Sequence, residues 1–556
     1  MSVLESLRQQ NFLERLYERD PTLWSDDPRE QAAITNRLGW LEAHRSMLLQ
    51  MRPLAELAAW IRDNEIRHAV LLGMGGSSLA PEVLSRTFGA REGYPELIVL
   101  DTTDPATILR VENRINVVST LFIVSSKSGT TIESASLHRY FAERTQDATG
   151  DTGALQNFIA ITDPGTALHQ AAEAEGFHRV FLNPPDIGGR FSALSFFGLV
   201  PAAAIGIDVQ KLLESAATVD REEAFELGAR LGELAGQGRD KITFLAASGV
   251  EAFGAWAEQL IAESTGKRGC GLVPVDGEPA GPPEVYGNDR VFVHLDDGRS
   301  DELDGQIAAL KAAGHPVITC SLPDVYALGR EFLRWEIATA TAGAALRINP
   351  FDEPNVQESK DNTRQVLEEY VRDGELPSTE PAAIEGGVSL YADSATSASL
   401  RQAAAGASVS DLVSAHLKRA QPGQYVAIMA YIPRTEAHDR LLARLRTAVR
   451  DTTRAATTVG YGPRFLHSTG QLHKGGPDKG VFLQITGEDD VDLDIPGAPG
   501  YSFSILKQAQ AIGDLQALQS RKRPVVRLHL EDEVTANLRA IVDAVEAKLT
   551  NRAAVD

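Results

Sequence analysis

The sequence predicts an α/β fold built from doubly wound parallel sheets. Short apolar segments with β-branched residues, such as Leu121–Val124 and His68–Gly73, have the length and composition of buried parallel strands. Each is followed by a turn rich in glycine or serine and then by a segment with helical spacing. This alternation recurs along the chain and is the pattern of βαβ units, which bind ligands at the carboxyl ends of their strands.

The strands divide the chain into successive units. Residues 1–60 are predicted to be helical packing elements. Strands at 68–73, 97–100, 121–124 and 158–162 predict a first α/β domain over residues 61–235. Strands at 241–247, 291–295 and 317–320 predict a second domain over residues 236–365. Residues 366–420 are predicted to be a mostly helical insertion, and strands at 426–432, 457–461, 481–485 and 525–530 predict a C-terminal α/β unit over residues 421–556.

Length and charge limit the class of protein. A chain of 556 residues is too long for one core and indicates about three or four domains. The net charge of −22, from 76 acidic and 54 basic residues, argues against nucleic acid or an anionic membrane as a partner. An anionic substrate would therefore need a locally positive pocket.

The chain has the features of a cytoplasmic protein. Its first residues mix acidic and basic side chains and lack the apolar segment of a signal peptide. No segment approaches the roughly 18 apolar residues of a membrane span. Its two cysteines, Cys270 and Cys320, provide neither a disulfide framework nor a metal cluster, which fits a reducing compartment.

The segment Leu121–Ser134, LFIVSSKSGTTIES, is the strongest local indication of function. A buried strand passes through a turn with five hydroxyl residues into a predicted helix that begins near Ile132. The helix N-terminus offers free N–H groups and the positive end of the helix dipole, so this turn suits a phosphate. A Ser/Thr-capped turn without a ligand is the alternative. A second turn of the same kind, Met74–Ser78, follows the strand at His68–Gly73.

Two further segments carry charged residues that could act on a bound anion. Arg190 follows a Gly-Gly turn, where an arginine is preorganised for a charge-stabilising contact. A surface arginine that caps a loop is the alternative. Glu263 ends a predicted helix, and Gln259 lies one turn earlier on the same face. A carboxylate at the mouth of a pocket can act as a general base, although most helix-terminal glutamates only face water.

Five motifs resemble those of the phosphoglucose isomerases and occur in the same order as in that family. They are GMGGSS (Gly73–Ser78), SSKSGTT (Ser125–Thr131), GGRFSALS (Gly188–Ser195), ESTGK (Glu263–Lys267) and NPFDEPNVQESK (Asn349–Lys360). The resemblance covers about residues 60–365. It implies two doubly wound parallel-sheet sugar-isomerase domains with the active site between them, to which this chain adds its C-terminal α/β unit.

The resemblance also implies a reaction and a set of site residues. The reaction is the reversible isomerisation of glucose 6-phosphate and fructose 6-phosphate, a step of glycolysis and gluconeogenesis, by ring opening and enediol proton transfer without a metal or other cofactor. Glu263 would be the base, and Arg190 would stabilise the enediolate and lower the pKa of Glu263. Lys360 would act on the ring oxygen or the C1 hydroxyl. The implied phosphate ligands are Ser77, Ser126, Lys127, Ser128 and Thr131, and the other substrate contacts are Gly76 and Gln259.

The sequence departs from the family pattern at two places. The family histidine is missing between the ESTGK and lysine motifs, while LHSTGQ (Leu466–Gln471) lies far downstream. We infer that His467 takes this role, with His473 as the competing candidate. A lysine motif followed by LHSTGQ resembles the isomerase half of fused transaldolase/phosphoglucose isomerase proteins. We expect this chain to be a free-standing version of that half. Glu353 stands where many members carry a phosphate-contacting glutamine, and because a carboxylate repels phosphate we leave it out of the predicted site.

Two other functions stay open. The first is a dual-specificity isomerase that also converts mannose 6-phosphate, since no residue discriminates the configuration at the 2-hydroxyl. The second is a non-catalytic sugar-phosphate sensor, which needs the phosphate loops but not the acid and base groups. The resemblance further implies a homodimer whose histidine crosses the interface, whereas a histidine on the C-terminal unit could act within its own chain.

Overall fold

Three α/β units, preceded by a group of helices, make up the chain, and the computed structural model describes residues 1–89, 91–150, 154–247, 249–298, 301–497 and 500–550. The first helices are α1 (Val3–Gln9), α2 (Phe12–Tyr17), α3 (Pro28–Thr35), α4 (Ala43–Leu48) and α5 (Met51–Asp63). Their apolar side chains, among them Phe12, Leu57 and Ile61, are buried in a core that they share with both following units. The helices are thus packing elements, as predicted, without a separate core.

The first sheet has five parallel strands in the order β2-β1-β3-β4-β5. They are β1 (His68–Gly73), β2 (Glu96–Leu100), β3 (Thr120–Ser125), β4 (Phe158–Thr162) and β5 (Arg179–Leu182). The helices are α6 (Leu79–Phe88), α7 (Pro105–Arg114), α8 (Ile132–Thr149), α9 (Ala167–Ala174), α10 (Phe196–Ala204), α11 (Val209–Ala216) and α12 (Arg221–Gly236). The strand order reverses between β1 and β3, so the turns after these two strands open into one crevice.

The second sheet has four parallel strands in the order β7-β6-β8-β9. They are β6 (Lys241–Ala246), β7 (Val273–Val275), β8 (Arg290–Asp296) and β9 (Val317–Ser321), and the helices are α13 (Phe253–Thr265), α14 (Asp301–Ala312) and α15 (Ala327–Ala345). Both sheets are buried between helices, which explains their continuous apolar strands. The predicted doubly wound architecture is confirmed.

The third sheet differs from the prediction at one edge. After α16 (Val356–Asp373), it has six strands in the order β10-β11-β15-β14-β12-β13, and β11 runs antiparallel to both of its neighbours. The strands are β10 (Ala383–Glu385), β11 (Val388–Tyr391), β12 (Tyr425–Tyr431), β13 (Ala456–Tyr461), β14 (Gly480–Gly487) and β15 (Val525–Leu530). The helices are α17 (Ser394–Ala403), α18 (Val409–Lys418), α19 (Glu436–Thr453), α20 (Gly470–Gly475), α21 (Phe503–Ser520) and α22 (Val534–Thr550).

Residues 366–420 contain more helix than strand, as predicted, but they do not form a separate insertion. Helix α16 crosses the boundary placed at residue 365, and β10 and β11 extend the sheet of the C-terminal unit. The two strands are too short, at three and four residues, to show a periodicity in the sequence. β10 pairs with β11, and β11 in turn pairs with β15, which lies far along the chain.

The C-terminal unit packs against both earlier units. One face of its sheet, with Tyr425 and Phe482, shares a core with Ala262 of α13 and with β7. Phe503 and Leu506 of α21 pack on the outer face of the first sheet together with Leu367 of α16. These contacts place the loops after β13 beside the loops of the first two sheets. None of the described helices is long and apolar enough to span a membrane.

Candidate active site

The turns after β1 and β3 lie together and present several hydroxyl groups. Ser125 Oγ donates a hydrogen bond to the carbonyl oxygen of Ser77 at 3.3 Å, which joins the two turns. Ser126 Oγ and Thr131 Oγ1 are 3.0 Å apart. Thr131 precedes α8 but makes no capping hydrogen bond, so the first N–H groups of this 18-residue helix stay free for an anion.

Two predicted phosphate ligands have other partners. Lys127 Nζ pairs with the Asp163 carboxylate and donates to the carbonyl oxygen of Pro185 at 3.1 Å, so its charge is neutralised there. Ser128 is exposed, and its hydroxyl lies 3.0 Å from that of Thr130. In this arrangement the helix N-terminus and the hydroxyls of Ser126 and Thr131, rather than Lys127, are available to an anion.

Gly75 and Gly76 bring the first turn against two other loops. Gly75 has a φ of +53°, and a Cβ there would lie 2.8 Å from the Gln259 Nε2 atom and from the His467 carbonyl oxygen. A Cβ on Gly76 would lie 2.0 Å from the carbonyl oxygen of Gly189, next to Arg190. Only glycine allows this approach, so the predicted substrate contact at Gly76 lies at the junction of the loops.

Arg190 is buried and connects three segments. Its Nε donates to Ser264 Oγ at 2.8 Å, and its Nη2 donates to the carbonyl oxygens of Pro350 and Asp352 at 2.7 and 2.8 Å. Its Nη1 donates to Glu353 Oε2 at 3.0 Å and lies 3.6 Å from Glu263 Oε1. Glu353 is therefore part of the site, contrary to the prediction. Its carboxylate is neutralised by Arg190, which removes the repulsion on which the exclusion of Glu353 rested.

Glu263 lies on the last turn of α13 and is 8% exposed. Gln259, one turn earlier, donates to Glu263 Oε2 at 3.1 Å, as the shared helix face predicts. Burial raises the pKa of Glu263, and Arg190 lowers it by less. The Glu353 charge adds to the increase. Arg190 therefore acts on the pKa of Glu263 in the predicted direction, but burial outweighs its effect, and the depth of burial is not visible in the sequence. A glutamate with a raised pKa is a stronger base.

His467 is linked to this group through Gln259. The Gln259 Nε2 atom donates to the His467 carbonyl oxygen at 2.9 Å. The imidazole Nε2 of His467 lies 2.9 Å from Glu133 Oε1, which also accepts a hydrogen bond from Gln510 at 2.7 Å. Burial opposes ionisation of Glu133, but the charge and hydrogen bond of His467 outweigh it and lower the pKa. An ionised Glu133 fixes the ring so that the other nitrogen can exchange a proton.

Glu133 and Gln510 are functional candidates that the sequence analysis missed. Glu133 lies in the first turn of α8, within the hydroxyl-rich segment, where a glutamate ordinarily indicates no more than favourable interaction with the helix dipole. Gln510 lies in α21, where no motif marks it. Glu133 belongs to a motif and could have been identified as a partner for a basic residue, but Gln510 could not.

Lys360 faces His467 across a cavity. The cavity has a volume of about 600 Å³, and its lining includes Thr131, Glu133, Lys360 and His467. Lys360 lies on the first turns of α16 and is exposed. The structure therefore brings all four predicted catalytic residues to one region: Glu263 and Arg190 in one contact, and His467 and Lys360 on one cavity.

His473 lies in the hydrophobic core and not in the site. Its ring is packed near those of Tyr425 and Phe482. Within the described part of the chain, neither ring nitrogen has a hydrogen-bond partner. Burial lowers the pKa of His473 to about 3, which keeps the ring neutral. These surroundings favour His467 over the competing candidate.

Gln471 holds the His467 turn against two family motifs and was also missed. Its Nε2 donates to the carbonyl oxygen of Gly266 at 2.9 Å and to Asn355 Oδ1 at 2.8 Å. Its Oε1 accepts from the Asn355 N–H at 2.8 Å. Nearby, Lys267 Nζ binds Asp352 Oδ1 at 2.7 Å, and burial lowers the pKa of Lys267 to about 8.

Comparison with known proteins agrees with this geometry. Residues 48–227 match the model of the family described as phosphoglucose isomerase. The glucose-6-phosphate isomerase of Rubrobacter xylanophilus is 30% identical over 393 residues, which is 60% of this chain and 90% of that protein. The glucose-6-phosphate isomerase of Thermus thermophilus is 30% identical over 387 residues, 59% of this chain and 90% of that protein.

Solved structures show the same fold. A crystal structure of a hypothetical protein from Thermus thermophilus has a TM-score of 0.53 at 27% identity and covers 65% of this chain and 96% of its own. The crystal structure of a glucose-6-phosphate isomerase from Chlamydia trachomatis has a TM-score of 0.53 at 19% identity. The match covers 67% of this chain and 86% of the other.

Two doubly wound sheets, with hydroxyl-rich turns at the crevice of the first sheet and with Glu263 and Arg190 in contact, define a protein with sugar-isomerase domains. The relatives named above extend the similarity over nine-tenths of their own length. The chain belongs to the phosphoglucose isomerase family.

Proposed function

We propose that the protein catalyses the reversible isomerisation of glucose 6-phosphate and fructose 6-phosphate. One observation carries the proposal. Gln259 hydrogen-bonds both the Glu263 carboxylate and the backbone of His467, so a base and an acid from distant segments are held beside the anion-binding turns. A sensor would need only the turns, and the buried acid–base group has no use in such a protein.

Substrate binding begins at the phosphate. The N-terminus of α8 and the hydroxyls of Ser126 and Thr131 bind the dianion, with Ser77 on the neighbouring turn. The helix dipole supplies the local positive potential that a chain of net charge −22 otherwise lacks. The sugar then extends towards Glu263 and His467.

Ring opening uses His467 and Lys360. His467, held by Glu133, donates a proton to the ring oxygen while the C1 hydroxyl passes its proton to water in the cavity, and the C1–O5 bond breaks to give the open aldehyde. Lys360 lines the same cavity and stabilises the negative charge that develops on the C1 oxygen. The ketose ring closes by equivalent steps at C2, where the 5-hydroxyl oxygen attacks the carbonyl carbon, the C2–O5 bond forms and the carbonyl oxygen takes up a proton.

Proton transfer uses Glu263 and Arg190. Glu263 removes the proton from C2, and the electron pair of that bond forms the C1–C2 double bond of an enediolate. The negative charge develops on oxygen, where the Arg190 guanidinium stabilises it. Proton exchange between the two oxygens and return of the proton from Glu263 to C1 give the ketose, with no electrons gained or lost.

Glu263→Gln tests the assignment. We expect turnover in a coupled assay with fructose 6-phosphate and glucose-6-phosphate dehydrogenase to fall by about 10²–10⁴-fold, because removal of a general base has this effect. Calorimetry is expected to show retained binding of substrate. Glu258→Gln is the matched control, since burial raises the pKa of Glu258 to about 8 and its carboxyl is mostly protonated at neutral pH. Unchanged turnover of Glu263→Gln would contradict the mechanism, and wild-type binding without turnover would indicate the sensor.

We further infer that the chain is of the kind found as the isomerase half of fused transaldolase/phosphoglucose isomerase proteins. The inference is supported by the LHSTGQ turn, which the C-terminal unit carries after the lysine motif. Activity on mannose 6-phosphate, measured under the same conditions, separates a single-substrate enzyme from the dual-specificity alternative.

A further inference from the structure

A group of possible metal ligands lies at the carboxyl end of β8, apart from the proposed active site. His294 and Asp296 are two residues apart on this strand, so their side chains point to the same face of the sheet. Asp304 lies in the first turns of α14, the helix that follows. One ligand atom from each of the three residues lies within 4.8 Å of the other two.

His294 supplies an independent indication that something binds there. The residue is only 4% exposed, and no hydrogen bond or ion pair of its ring is found among the described residues. The ring nitrogens are not among the fully buried polar atoms of the described chain, so they still reach solvent and are open to a ligand.

We propose that His294, Asp296 and Asp304 bind a divalent first-row transition-metal ion such as Mn²⁺, Co²⁺ or Zn²⁺. One imidazole nitrogen and two carboxylates suit these ions, whereas Ca²⁺ and Mg²⁺ prefer oxygen ligands alone. The two carboxylates balance the charge of the ion.

The surrounding sequence favours a cation. Between residues 294 and 304 the chain has five acidic residues and one arginine. A bound ion would tie the start of α14 to the end of β8, so its role would be to stabilise the second domain. None of the three residues belongs to the proposed acid–base group, and the isomerisation needs no metal.

Metal titration of tag-free protein, first stripped with a chelator, tests the proposal. We expect Co²⁺ to produce visible absorption bands that saturate at one ion per chain, and Zn²⁺ to bind with the same stoichiometry in calorimetry. Asp304→Asn and His294→Gln are expected to weaken binding at least tenfold. Asp63→Asn is the charge-matched control, since Asp63 is exposed on α5 and far along the chain from the site, and it should bind as the wild type does.

Thermal unfolding gives a second measurement. The unfolding midpoint should rise with added Co²⁺ in the wild type and in Asp63→Asn but not in Asp304→Asn. Asp304 is exposed, so this variant should fold and keep isomerase activity even if His294→Gln does not. Absence of stoichiometric binding, or equal affinity in Asp304→Asn and the wild type, would overturn the proposal, and tighter binding of Ca²⁺ than of Zn²⁺ would overturn the ion class.

Discussion

Two histidines of one short segment show how the surroundings decide the role of a residue. His467 lines the cavity and is hydrogen-bonded to Glu133, whereas His473 is packed among aromatic rings without a polar partner in the described chain. Both follow a leucine and lie three residues from Gly470 in the sequence, and both were candidates. Only His467 has an acceptor that orients its ring for proton transfer.

Alanine variants of the two histidines should therefore fail in different ways. His467→Ala is expected to lower kcat/KM by about 10²–10⁴-fold with little loss of stability, because its side chain works at a cavity surface. His473→Ala is expected to lose about 2 kcal/mol or more of unfolding free energy, because it leaves a cavity in the core, while the folded fraction stays active. Urea unfolding and the coupled assay check both. The opposite pattern would assign the catalytic role to His473.

Glu353 and Glu263 share one arginine, and the pH dependence of activity should report this. The Glu353 charge contributes to the raised pKa of Glu263. In Glu353→Gln this contribution is lost, the pKa of Glu263 falls, and the base stays ionised to lower pH. We expect the acidic limb of the kcat/KM profile to move to lower pH than in the wild type.

Glu358→Gln is the control for this experiment. Glu358 lies on the same segment but binds Arg521 at 2.6 Å, so the acidic limb of this variant should match that of the wild type. A limb that stays in place or moves to higher pH in Glu353→Gln would show that Glu353 does not act on Glu263.

At the scale of elements, the site depends on close packing of three loops. The turn after β1 touches the Gly188–Gly189 turn, and Ser192 Oγ donates to the Gly76 carbonyl oxygen at 3.2 Å. The same turn touches the His467 turn at Gly75. Rigid strands and helices set the positions of these loops. Backbone contact between the loops then fixes the distance from the turn after β1 to Arg190.

Gly76→Ala should separate these loops. The added Cβ would lie 2.0 Å from the Gly189 carbonyl oxygen, which is backbone and cannot rotate away. We expect the unfolding free energy to fall by about 1–3 kcal/mol. We also expect KM to rise, because Arg190 moves away from the turn after β1. Gly236→Ala, at the end of α12 with no atom within 4 Å of the new Cβ, should leave both unchanged or raise stability slightly. Equal behaviour of the two variants would contradict the packing argument.

At the scale of the whole molecule, ion pairs join the C-terminal unit to the first domain. Lys507 of α21 binds Asp104 at 2.8 Å, and Arg464 binds Asp101 at 3.1 Å and Glu82. Both contacts flank the loop that carries His467. As a result, all the proposed catalytic residues come together within one chain.

The family resemblance leads us to propose a homodimer, but activity should not depend on it. Glu133 and His467 of the same chain are hydrogen-bonded, so no residue from a partner is needed to complete the proposed site. We expect kcat per chain to stay constant on dilution even where sedimentation shows dissociation of a dimer. A loss of activity that follows dissociation would show that the interface supplies part of the site.

The sequence by itself determined the elements and the local functional segments. Most strands and many helices were predictable because periodicity and turn residues act within a few positions of the chain, as in the strand–turn–helix unit around Ser126. The pairing of Gln259 with Glu263 followed from helix geometry for the same reason. The family motifs identified Arg190, Lys360 and His467 as candidates, and the structure then brought them together.

Only the tertiary structure decided which of these groups meet and in what state. The contact of Glu133 with His467 spans 334 positions, the Arg190–Glu353 pair spans 163, and Lys127, a predicted phosphate ligand, pairs with Asp163. The raised pKa of Glu263 comes from burial, and β11 joins the third sheet by pairing with the distant β15. These properties depend on the packing of distant segments, which no local pattern of residues encodes.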